Sequence, residues 1–277
     1  MRISEALRLF SLLPQHPLEF YDQLKTRLEV GLEQFLLQPP AYQPSQWQEV
    51  IAGMEKCLTV GMESLRDEPA LADIESAVHK GIQEILPRAA FALSCNADFT
   101  LARLCYLVCR AMTPAIVLET GVAYGVTSAF ILQALTVNGH GLLHSIDRPP
   151  FGPQADQIVG ILIPPALKRC WQLHRGTSKR ILPRLLSQLG QVDVFLHDSR
   201  HTYRNMRREL LTVSPYLPPR AVVMADDVDR NAAFSEWVAQ AQPAFSATIQ
   251  ERGKKSLFGV SVLLAPQGES SVLYNAS

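Results

Sequence analysis

The 277-residue sequence predicts an α/β fold: a mostly parallel sheet with helices on both faces, behind an N-terminal helical extension. Three observations lead there. From Ala97 onward, short apolar runs alternate with stretches of helical period, which is the pattern of parallel strands joined by crossover helices. The run Ile116-Val-Leu-Glu-Thr-Gly121-Val-Ala-Tyr-Gly125 passes from a buried strand through a glycine turn into a helix. Finally, two apolar runs over 244–250 and 257–264 are joined by Gly253-Lys-Lys-Ser, as in a terminal hairpin.

Residues 1–95 read as a helical extension and 96–277 as the α/β domain. Leu7, Phe10, Leu12 and Leu13 recur at helical spacing, as do Leu24, Leu28, Leu32, Phe35 and Leu36. Pro39, Pro40 and Pro44 break this pattern into an extended connector, and further helices follow over 45–65 and 71–86. A helix over 98–112 carries Leu101, Leu104, Cys105, Val108 and Cys109 on one side and ends at Thr113-Pro114, because the residue before proline is driven out of the α region. Strands are predicted over 116–120, 142–146, 171–174, 192–196 and 221–225. The helices between and after them cover 125–137, 155–170, 178–189, 201–213 and 231–241.

Lys+Arg and Asp+Glu are equal at 26 each, so no global field favours nucleic acid or an anionic membrane. Arg200, Arg204, Arg207 and Arg208 cluster locally and read as a solvated helix face. Five cysteines without C-x-x-C spacing indicate neither a disulfide framework nor a zinc site. Charges through the first turns exclude a signal-peptide core, and no run reaches about 18 apolar residues. A cytoplasmic protein that acts on a small molecule is the expectation, with neither nucleic-acid nor membrane partners. Residues 1–95 serve as a lid, a partner surface or the contact of a homo-oligomer.

In an open α/β sheet, ligands sit beyond the carboxyl ends of the strands. Those ends carry Glu119 and Gly121, Asp147, His197-Asp198-Ser199, and Asp226-Asp227. Glu119 argues against a phosphate ligand and suits an amino group or a ribose hydroxyl. The G-x-x-x-G spacing also fails the dinucleotide fingerprint. Asp147, 26 residues beyond Gly121, is placed to accept from ribose hydroxyls. His201, three residues past Asp198, suits removal of a proton from a substrate hydroxyl, or a hydrogen bond to Asp198. His197 reads as a satisfied buried residue, and Tyr203 as a pocket wall or a packing residue.

These runs together carry a resemblance. His197-Asp198-Ser-Arg-His201-Thr-Tyr203, Asp226-Asp227-Val, Pro165-Ala-Leu-Lys-Arg-Cys-Trp171 and Gly176-Thr-Ser178 resemble a bacterial class I family of small-molecule methyltransferases, over about residues 95–265. The resemblance implies a Rossmann-like class I methyltransferase sheet whose terminal hairpin inserts an antiparallel strand. It implies S-adenosyl-L-methionine (SAM) bound at Glu119, Gly121, Tyr124, Gly125, Thr127, Ser128, Asp147, Gly176, Thr177, Ser178 and Asp198. It further implies a divalent-metal site, Mg2+ by similarity to catechol-type O-methyltransferases, at Asp198, Asp226 and Asp227. The catechol enzymes have Asp-Asn where this chain has Asp226-Asp227. Helix capping by Asp198 and Asp227 is the competing structural reading. His201 and Asp198 are the expected catalytic residues of O-methylation of a small hydroxylated molecule, such as a sugar or secondary metabolite. Metal-independent N-methylation and a non-catalytic scaffold are the alternatives, and a nicotinamide oxidoreductase ranks last.

Overall fold

The computed structural model describes Tyr21 and residues 40–85, 99–148, 155–250 and 256–265. The helices read over 7–36, the Pro149-Pro150 loop, Cys95 and the Gly253 turn lie outside the described residues.

Helix α1 (Trp47–Leu58) opens on a capping box in which the Gln46 and Glu49 side chains reach each other's backbone N–H groups. It ends at Thr59, held left-handed at φ 56°. Its predicted extension to 65 is replaced by a separate 3-10 turn, Ser64–Asp67. Helix α2 (Pro69–Ile85) starts on a proline, whose missing N–H would have been unpaired there anyway. Helix α3 (Phe99–Met112) buries all five side chains predicted for its apolar side, Cys105 and Cys109 included.

The sheet follows as β1 (Ile116–Thr120), α4 (Val126–Asn138), β2 (Leu142–Asp147), a single turn α5 (Ala155–Ile158), β3 (Trp171–Arg175), α6 (Ser178–Leu189), β4 (Val194–His197), α7 (Tyr203–Val213), β5 (Ala221–Ala225), α8 (Ala233–Ala241), β6 (Phe245–Gln250) and β7 (Leu257–Leu263). The helix expected over 155–170 does not form. Pro164 and Pro165 stand in its middle, and beyond them the chain makes only a 3-10 stretch, Pro165–Cys170.

Strand order is β3-β2-β1-β4-β5-β7-β6, with β7 antiparallel to both its neighbours and every other pair parallel. Successive strand residues face opposite sides, so the sheet separates two cores. Val117, Leu196, Val222 and Met224 face α1–α4, whereas Leu118, Phe195 and Val223 face α6–α8. Helices α1 and α2 thus share a core with the sheet. Bidentate Arg110–Glu68 contacts of 2.6 and 2.8 Å, an Arg103–Glu75 pair, and Gly53 against the Phe245 ring tie them down.

Candidate active site

The carboxyl ends of the central strands are laced to one another by the backbone. The first residue beyond each strand donates its N–H to a neighbour: Gly121 to Ile146 O, Asp198 to Thr120 O, Asp226 to His197 O and Gly176 to Asp147 O, all within 2.7–2.8 Å. These ties put the loops after β1, β3, β4 and β5, with the end of β2, along one edge. Gly121 (φ 87°) has no room for a side chain, since a Cβ there would lie 2.0 Å from the carbonyl oxygen of Asp198. The loop after β1 and the loop after β4 therefore touch through main chain alone.

Glu119 is wholly buried. Its carboxylate accepts from the hydroxyls of Thr127 (2.7 Å), Ser128 (2.6 Å) and Ser145 (2.8 Å). Burial pushes its pKa up to about 7, partly offset by those hydrogen bonds, and the charge of Asp147 adds to the rise. Glu119, Thr127 and Ser128, expected from sequence to touch a cofactor, instead face one another inside the fold. A buried carboxylate requires donors, and the first turn of α4 supplies them. Tyr124 (1% exposed) packs within the apolar core. At Gly125 the close neighbour is the protein's own Gly160, 2.9 Å from where a Cβ would stand.

Asp147 accepts the N–H groups of Val122 (3.0 Å) and Ala123 (2.9 Å) through one carboxylate oxygen, shaping the β1–α4 loop. Burial pushes its pKa up against the pull of these amides. Gly176 precedes α6, Thr177 occupies its N-cap position with a buried hydroxyl that has no hydrogen-bond partner, and the Ser178 hydroxyl accepts from Arg208 at 3.2 Å.

On the other side of Gly121, Asp198, His201 and Asp226 bring one ligand atom each within 4.8 Å of one another. The trio expected from sequence was Asp198, Asp226 and Asp227. Asp227 does not complete it: held at φ 52°, it accepts from Arg230 at 2.8 Å and stands 3.6 Å from His201 Nε2. Helix α7 is capped by Thr202, not by Asp198. Burial drives the His201 imidazole down to about 4, with His197 and Arg230 adding to the fall and Asp227 opposing it. About a fifth of the side chain is nonetheless exposed (21%), so the ring is accessible. Asn231 donates to the His201 carbonyl at 3.2 Å, joining this loop to the one after β5.

Residues 118–228 match the family model for a methyltransferase domain. Over that stretch, about two fifths of its length, the chain is similar to methyltransferase domains. Among solved structures, an O-methyltransferase from Bacillus cereus in complex with SAH is 13% identical, with TM-score 0.56 over 68% of this chain and 90% of that one. The O-methyltransferase TomG of Streptomyces achromogenes, involved in tomaymycin synthesis and solved with SAM, is 16% identical, with TM-score 0.51 over 72% and 91%. At such identities the likeness is one of fold. No curated protein matches the sequence.

The sequence reading overlooked Glu209. Its carboxylate, without any exposure, accepts from Thr120 Oγ1 (2.6 Å), Ser199 Oγ (2.9 Å) and Asn205 Nδ2 (3.0 Å), and pairs with His197 Nδ1 at 2.6 Å. Burial pushes its pKa up, but the charge on His197 and the hydrogen bonds from His197, Ser178 and Thr120 prevail and hold it near 2. A signal was present: Glu209 sits on the stripe of α7 that buries Met206, Leu210 and Val213, where a charged residue must have partners. Arg204 and Arg207 are exposed, as the sequence suggested, while Arg208 is half-buried and bonded to Asn205. Tyr203 donates to Glu236 at 2.7 Å. No helix among the described residues is long and apolar enough to cross a membrane.

Proposed function

We propose that this protein is a SAM-dependent O-methyltransferase acting on a small hydroxylated molecule. The main support is the convergence of Asp198, His201 and Asp226 at the ends of β4 and β5, in backbone contact with the Gly121 loop of a methyltransferase domain. The solved O-methyltransferases with SAH or SAM bound share this fold and agree with the reading.

In this reading the donor lies over the ends of β1 and β2. Asp147 orders the Gly121–Gly125 loop and accepts from the ribose hydroxyls, and Gly176 and Thr177 border the adenine. The acceptor lies over the ends of β4 and β5. There its hydroxyl oxygen attacks the sulfonium methyl, the carbon–sulfur bond breaks with its electron pair returning to sulfur, and SAH leaves. His201, uncharged at neutral pH, takes the hydroxyl proton. The single positive charge passes from the sulfonium to the imidazole along this displacement, so the protein contributes chiefly alignment.

The donor set fits a divalent ion. Asp198 and Asp226 offer hard carboxylate oxygens, as Mg2+ requires, and His201 would stand beside the ion with its ring nitrogen left for the proton. Such an ion would supply positive charge to the acceptor oxygens. Asp227 holds Arg230 beside this group and so limits the negative charge there.

The test is calorimetry with SAM and SAH, followed by SAH release in the presence of catechols, sugars and simple amines, with and without EDTA. SAM binding and release with a hydroxylated acceptor are expected. EDTA-insensitive release with amines alone would favour N-methylation, and absence of SAM binding would overturn the reading.

A further inference from the structure

Beneath the proposed acceptor site lies a buried polar hub that the reaction itself does not use. Glu209 collects groups from β1 (Thr120), β4 (His197), the following loop (Ser199), and α7 itself (Asn205). Asn205 also donates to the hydroxyl of Ser199 and to the carbonyl of Arg200, both at 2.9 Å. Every residue from His197 to His201 is thus anchored or flanked by an anchored neighbour. The His197 ring, with no exposure, stands edge-on to the His201 ring at a centroid separation of 5.7 Å and an interplanar angle of 88°. The remaining nitrogens, His197 Nε2 and His201 Nδ1, are both buried without a hydrogen-bond partner. Contact between the rings is therefore one of shape. Whatever orients His197 sets the wall against which His201 rests.

We infer that Glu209 is a positioning residue for the proposed methyl transfer: by clamping His197, Ser199 and Asn205 together it fixes the Asp198–His201 loop, and the edge of His197 holds the His201 ring toward the acceptor. Glu209 touches neither donor nor acceptor. The inference rests on the assignment of His201 as proton acceptor, but the mechanical claim can be read separately. A displacement of about 1 Å at a reacting group lowers a rate by roughly 100-fold, so a loop held by one carboxylate makes that carboxylate matter to turnover.

The experiment uses the full chain labelled with 15N-histidine and loaded with SAH. The unmodified protein is expected to show a strongly downfield Nδ1 proton for His197, as a 2.6 Å bond to a carboxylate demands, assigned by its loss in His197→Gln. In Glu209→Gln that resonance should vanish and the His201 ring signals should shift or broaden, while SAH affinity stays within about twofold. With any acceptor that supports SAH release, kcat should fall roughly 100-fold with KM for SAM nearly unchanged, and Glu209→Asp should recover part of the loss. Should Glu209→Gln fail to fold, Ser199→Ala and Asn205→Ala remove the loop's ties while keeping the carboxylate, and should move the same His201 signals. Unaltered His201 signals in these variants, with only a lower melting temperature, would overturn the inference. Failure of the unmodified protein to bind SAH would instead overturn the proposed function, and the His201 response would still report on the clamp.

Discussion

Glu119 and Glu209 make an instructive pair. Both are glutamates with no exposure, one at the β1–α4 corner and the other at the β4–α7 corner, and both are fully engaged by hydrogen bonds. Their chemistry nevertheless diverges: Glu119 is raised to about 7 and Glu209 lowered to about 2. The difference is the partner. Three hydroxyls cannot offset the desolvation of Glu119, whereas a histidine 2.6 Å away overcomes that of Glu209. Burial alone does not set the charge state of an acid; its nearest donor does. The two corners also divide the proposed labour, with neutral hydroxyls behind the donor side and an ionised carboxylate behind the acceptor side.

The division can be broken one side at a time. Asp226→Ala should lower turnover by about 100- to 1000-fold while SAM binding by calorimetry stays within about twofold, since the loss lies wholly on the acceptor side. Unchanged turnover would remove Asp226 from the site. The next effect concerns stability. Because the folded protein holds the Glu119 proton more tightly than the unfolded chain, its ordinary value being 4.5, this contribution is complete below about pH 4.5 and fades as pH rises through about 7. It amounts to something on the order of 3 kcal/mol. Thermal melts between about pH 5 and pH 8 should show that decline, and Glu119→Gln should flatten it.

A smaller change is expected of Asp147→Asn, which weakens the hold on the Val122 and Ala123 amides. SAM affinity should drop about tenfold, with turnover at saturating SAM largely kept. The smallest effect belongs far from both corners. Arg103→Ala removes a pair with Glu75 on α2 that is about one third exposed, and should cost about 1 kcal/mol or less in urea unfolding, without altering SAM binding.

The parallel sheet was legible because its strands are unbroken apolar runs that stop at polar residues. β1 and β5 match their predicted ranges at both ends. The helix expected over 155–170 shrinks to the turn Ala155–Ile158 and a 3-10 stretch because Pro164 and Pro165 interrupt it. At the site, sequence named Asp198, His201 and Asp226, each close to a strand end, but it could not see direction. Thr127 and Ser128 occupy a cofactor-like motif yet turn inward, because the unbonded carboxylate of Glu119 would be costlier than the loss of two surface hydroxyls. Glu209 stayed hidden for a different reason. Its partner Thr120 lies 89 residues away, and only the folded sheet brings them together.

The bare α-carbon of Gly121 against the carbonyl of Asp198 has a mechanical consequence. With no side chain interposed, the spacing between the proposed donor and acceptor sides is set by van der Waals contact of main chain with main chain. Thermal breathing that lifts one half drags the other with it, so the two would keep their alignment while the rest of the molecule fluctuates.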